Sequence, residues 1–156
     1  MRWKRPHISK VYEALTAIAD ERIEIDSPNH ARCYSSSLNK FYDITWDFEC
    51  DSIMSNDNSA YFTDSLSYPM IAVLLLKNKI AYNKKALYLL RNIHWKKINQ
   101  QHKNNYDKAT ESVLKELEMD GVNVLWLKKE IEKIHIAVCD LPLKQLGQKQ
   151  QPPQEK

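Results

Sequence analysis

Phe41-Tyr42-Asp43-Ile44-Thr45-Trp46 and, further along, Met70-Ile71-Ala72-Val73-Leu74-Leu75-Leu76 decide the fold class between them. The first stretch alternates aromatic or β-branched residues with polar ones, the two-residue period of a strand with one face buried. The second is apolar at every position. Seven residues are far too few to span a bilayer, which takes ~20, so this run predicts a buried central helix.

Working outward from the first stretch, residues 22–57 keep the language of strands. Arg22-Ile23-Glu24-Ile25 alternates, Ser27-Pro28-Asn29 is a turn, residues 31–37 lead into the second strand, and 47–52 form a turn before a short strand at Ile53-Met54. This predicts an antiparallel meander of three or four strands. Upstream, Ile8, Val11, Leu15 and Ile18 recur at spacings of three and four, so an amphipathic helix begins near Ser9, a suitable cap.

Working outward from the second stretch, the pattern stays helical to residue 140. Asn83 can cap a helix over 84–93 with Leu87, Leu90 and Ile93 inward, and Trp95 and Ile98 suggest a further turn. Tyr106, Ala109, Val113 and Leu117 mark the next helix, with Gly121 at its end. A last helix starts at Asn123 and carries Leu127, Ile131, Ile134 and Val138 on one stripe. Strands and helices are therefore segregated. The expectation is an α+β fold: an N-terminal helix, a small antiparallel meander over 22–57, and a bundle of four to five helices over 67–140. The chain reads as a single domain over residues 1–141, followed by a Gln-, Lys- and Pro-rich tail, 142–156, expected to be disordered.

Segment 39–76 resembles the layout of a SWIM-type zinc finger, in which a strand ends in a ligand pair and a second pair opens the following helix. Ser55 and Asp57 stand at the first pair of positions and Tyr68 and Met70 at the second. A closed zinc site needs thiolate or imidazole ligands, so the resemblance carries no metal role here. Cys33, Cys50, His135 and Cys139 are the other residues with metal-ligand chemistry, but no Cys-x-x-Cys pair joins them. No cofactor is expected.

Two glycines in 156 residues exclude the glycine-rich phosphate cradles. No glycine flanks the serines at 35–37, which excludes a nucleophile elbow. No catalytic residue is assigned, and an enzyme whose site the sequence does not expose stays open as a third reading. An odd number of scattered cysteines suits a reducing compartment, so a cytoplasmic location is expected, without membrane association.

Charge layout is the most informative functional signal. The net charge is only +3, yet residues 12–65 hold eleven acids against three bases, while residues 77–108 hold nine bases against Asp107 alone. The basic segment is interleaved with Tyr82, Tyr88, His94, Trp95, His102 and Tyr106, and with Asn99, Gln100, Gln101, Asn104 and Asn105. Cations neutralise phosphates and aromatic faces stack on unpaired bases. The expected function is a non-catalytic binding module for nucleic acid or a nucleoprotein particle. Lys84, Lys85, Arg91, Lys96, Lys97 and Lys103 would contact phosphates, Trp95 would stack, and the basic N-terminus would assist. Eight lysines to one arginine favour sequence-tolerant binding over bidentate base readout. The alternative is a protein–protein adaptor or oligomerising structural protein that uses separate acidic (Asp43, Asp47, Glu49, Asp51) and basic faces.

Overall fold

The structure, a computed structural model, describes residues 1–154. Helix α1 (Ser9–Ala19) leads into a meander of β1 (Ile23–Ser27), β2 (His30–Tyr34), β3 (Phe41–Asp47) and β4 (Ser52–Ser55), with a 3-10 turn at Phe48–Cys50 between the last two. Six helices follow: α2 (Asn58–Thr63), α3 (Tyr68–Leu76), α4 (Lys85–Leu89), α5 (Trp95–Gln101), α6 (Tyr106–Met119) and α7 (Val124–Asp140). The chain then returns to the sheet as β5 (Lys144–Gln145). The fold is α+β, as the segregation of patterns predicts.

The sheet runs in the order β1-β2-β3-β4-β5, antiparallel except for the last pair, in which β5 lies parallel to β4. Burial alternates along β2 and β3, with Ala31, Cys33, Tyr42, Ile44 and Trp46 turned inward. Helix α3 lies between this face and α1, so it is covered on both sides. That placement explains why residues 70–75 are all buried and why no polar stripe is present. Helix α1 also touches α4, α6 and α7, which makes it the hub of the helical half.

Several boundaries differ from the sequence reading, for local reasons. The α1 cap is not the Ser9 side chain. The His7 imidazole Nδ1 accepts the Ser9 N–H at 3.0 Å instead. The expected loop after β4 contains α2, because the Asp57 carboxylate accepts the Ala60 N–H at 2.9 Å and starts a helix. The helix expected over 84–93 is the shorter α4, since Asn92 takes a left-handed conformation with φ 58. With so few glycines, most such positions fall to asparagine and aspartate: Asp51, Asp64, Asn78, Asn92 and Asn104 have positive φ, beside Glu21, Leu38 and Lys103. Asparagine and aspartate tolerate that region better than most.

The expected disorder beyond residue 141 does not describe residues 143–146. The Leu143 carbonyl accepts from the Trp3 N–H at 3.1 Å, Lys144 N–H donates to Asp51 O at 2.8 Å, and Leu146 N–H donates to Ile53 O at 3.1 Å. Leu143 is buried and Leu146 packs on the core. A composition poor in aromatics hid these two leucines, whose burial stabilises the edge of the sheet. No helix among the described residues is long and apolar enough to cross a membrane.

Candidate functional site

The basic segment is delivered by α4, α5 and the turns around them. Their inner sides are apolar: Ala86 and Leu90 from the first, Trp95 from the second. The outer sides carry the cations, and Lys84, Lys85, Arg91, Lys96, Lys97 and Lys103 are all exposed. Residues 77–105 contain no acid, and the Asp20 carboxylate of the α1 end accepts the Asn92 N–H at 2.9 Å in the turn between α4 and α5.

Trp95 does not join them. It is 4 % exposed, its Nε1 donates to Thr16 Oγ1 at 2.9 Å, and its ring lies 5.8 Å from that of Tyr12. An indole satisfied inside the core cannot serve as an open stacking platform, so Trp95 does not have the stacking role expected from the sequence. The aromatic presented to solvent here is Tyr88, 68 % exposed, with the Arg91 guanidinium 4.7 Å from its ring centroid. The sequence holds no clue to this exchange, since Arg91 stands three residues after Tyr88 and four before Trp95, both at helical spacing.

The neutral side chains of this segment serve the backbone more than a ligand. Asn105 Oδ1 accepts the Lys108 N–H at 3.2 Å and caps α6, Asn104 supplies a left-handed turn, and Asn99 is buried.

Behind α5 lies a cavity of about 440 Å³. Its walls come from α1 (Lys10, Glu13), the residue before β1 (Arg22), the β2–β3 turn (35–37 and Lys40), the start of α2, and α5 (Lys96, Asn99, Gln100). Arg22 Nη1 donates to Tyr34 O at 3.0 Å, whereas its Nε has no hydrogen-bond partner, and neither has Asn99 Oδ1. Lys10 Nζ stands 3.1 Å from Glu13 Oε2, within charge attraction but off the line of a formed hydrogen bond. Burial pushes the Glu13 carboxyl above its ordinary value, with Lys10 opposing the shift.

The positions aligned with the finger-like layout hold something other than a metal site. Ser55 Oγ donates to Asp57 Oδ2 at 2.6 Å and Ser67 Oγ donates to the same oxygen at 2.5 Å, which ties the end of β4 to the starts of α2 and α3. Tyr68 and Met70 continue into α3. Among the described residues no three His, Cys, Asp or Glu side chains gather as a metal site. Burial pushes the Cys33 thiol up to about 12, and the Cys139 thiol is also raised by burial. The exposed Cys50 thiol is raised by its hydrogen bond with Asp47. None is an activated thiolate.

A serine, histidine and aspartate do stand in sequence at the start of α1. Ser9 Oγ lies 2.9 Å from His7 Nδ1, and His7 Nε2 lies 2.9 Å from Asp107 Oδ1. The Ser9 hydroxyl is buried under the helix start, however, so no substrate reaches it. This arrangement is a cap. Of the acidic face, Asp47, Glu49 and Asp51 are exposed at the β3–β4 turn, while Asp43 is bonded to His30 Nε2 at 2.9 Å.

No curated protein and no solved structure matches the chain. A family model does, over residues 3–144, a span that begins at the buried Trp3 and ends in β5. With nearly the whole fold inside that match, the chain belongs to the family described as uncharacterised conserved protein UCP014422.

Proposed function

We propose that the protein binds nucleic acid through the outer face of α4 and α5, with single strands preferred and little sequence selection. The observation that supports this reading is the exposure of six cations, Lys84, Lys85, Arg91, Lys96, Lys97 and Lys103, within an acid-free run. Each can neutralise a phosphate and release a counterion, which makes affinity steeply dependent on salt. Tyr88 with Arg91 over its ring offers an aromatic face for an unpaired base, where stacking is worth ~1–3 kcal/mol. Lysine contacts phosphate as a point charge and does not fix a base edge, hence the tolerance of sequence.

The test is fluorescence anisotropy with a short labelled RNA or DNA across a salt series. Replacing Lys84, Lys85, Lys97 and Lys103 together by glutamine weakens binding to all sequences alike. It also flattens the dependence of log K on log salt by about 0.7 per lost contact on a single strand. Tyr88→Ala weakens single-strand binding without lowering the melting temperature. A wild-type chain with no salt-sensitive affinity for any oligonucleotide at low ionic strength sinks the proposal. A concentration-dependent mass shift without nucleic acid would then direct attention to protein partners.

A further inference from the structure

We propose that the cavity between α1, the β2–β3 turn and α5 is a binding site for a small phosphomonoester that carries hydroxyl groups, of which a sugar phosphate is the simplest kind. The site lies behind the α4–α5 face and shares only Lys96 with the cations of the nucleic-acid reading. Besides Glu13 Oε2, which faces Lys10, two unpartnered polar groups carry it: Arg22 Nε, a donor, and Asn99 Oδ1, an acceptor. Both side chains are more than nine-tenths buried and both line this one cavity. Buried polar groups in native folds are almost always paired, so an orphan donor and an orphan acceptor in one cavity point to a ligand that offers both complements.

The charge balance selects the anion. Lys10, Arg22, Lys40 and Lys96 line the walls against only two acids, Glu13 and Asp57. Both oxygens of Asp57 already accept hydrogen bonds, from Ser55, Ser67 and the Ala60 N–H. Burial pushes the Glu13 carboxyl above its ordinary value, with Lys10 opposing the shift. A phosphomonoester is close to a dianion at neutral pH and matches that surplus better than a carboxylate does. The hydroxyl requirement comes from Asn99. A hydroxyl both donates and accepts, so it satisfies the buried amide in either orientation. A volume of about 440 Å³ falls within the range for small-molecule pockets and exceeds what bare phosphate fills.

Calorimetric titration of the full chain with ribose 5-phosphate, ribose and inorganic phosphate tests this. Ribose 5-phosphate is expected to bind saturably and at least ~10-fold more tightly than either fragment. Asn99→Ala should weaken it about tenfold. Because a buried change risks the fold, Lys96→Gln on the exposed rim serves as the second variant, and it too should weaken binding several-fold. No saturable heat at about 10 mM ribose 5-phosphate, equal affinity for inorganic phosphate, or unchanged affinity in both variants would overturn the proposal. A 5′-phosphorylated oligonucleotide supplies the remaining arm. If it binds in a manner sensitive to Asn99→Ala while ribose 5-phosphate neither binds nor competes, the small-molecule assignment is wrong and the site takes a strand end. Loss of the α4–α5 nucleic-acid affinity alone would leave the ribose 5-phosphate result untouched.

Discussion

The buried hydroxyl of Thr16 accepts from Trp95 Nε1 at 2.9 Å and donates to Leu90 O at 2.7 Å. One side chain of α1 therefore fixes the end of α4 and the start of α5 together. The two helices that carry the basic segment are short, five and seven residues, and neither would be stable alone. Their position depends on this bridge and on the packing of Leu90 and Trp95 against α1.

Trp95→Ala should consequently act on stability rather than on ligand stacking, at a cost of about 3–5 kcal/mol for an emptied core site. Thr16→Val keeps the volume but leaves the indole N–H and the Leu90 carbonyl unpaired, a loss of about 1–3 kcal/mol. Denaturant unfolding measures both. A Trp95→Ala protein as stable as wild type would contradict the buried placement.

Asp57 joins three elements through Ser55, Ser67 and the Ala60 N–H. Asp57→Ala removes a helix cap and orphans two buried hydroxyls, so a loss of roughly 2–4 kcal/mol is expected. Asp57→Asn keeps an acceptor for the cap and should retain part of the stability. Thermal melts of the pair separate the cap from the charge.

A chain ending at residue 142 loses Leu143, the β5 pairing and the Leu146 contact. Its melting temperature is expected to fall by several degrees, since each kcal/mol moves a domain of this size by roughly 2–4 °C. An unchanged midpoint would show that β5 contributes nothing to the sheet.

His30 stands between two carboxylates, with Nδ1 at 2.5 Å from Asp26 Oδ1 and Nε2 at 2.9 Å from Asp43 Oδ1, while Arg32 lies near Asp26. The bond with Asp26 raises the His30 pKa above its ordinary 6.5, and the same bond lowers that of Asp26 below 3.8. A raised histidine contributes stability that is fully present below its unfolded value and fades as pH rises through the folded one. The lowered aspartate contributes stability that is lost as pH falls through its folded value. The clamp is thus strongest in the window between the two ordinary values. Proton NMR titration should place His30 above 6.5, and Asp26→Asn should move it down. His30→Gln should remove the decline in stability on the alkaline side of that window.

The sequence by itself determined the class of fold, the meander, the buried α3 and the stripes of α6 and α7. Those features rest on periodicity within one element, as in Leu127, Ile131, Ile134 and Val138, and the side that is apolar must be covered whatever covers it. It also determined that the α4–α5 segment is cationic, because charge is a property of composition. Only the tertiary structure decided which aromatic of that segment faces water. Trp95 and Tyr88 are equally plausible in the chain, and a hydroxyl 79 residues away selects the first for the core. The same holds for the cavity. Lys10, Arg22 and Asn99 share no motif or spacing, and they meet because α1, the start of the sheet and α5 border one cavity. β5 belongs to this group too, since two residues carry no period and acquire a conformation only when β4 offers its free edge.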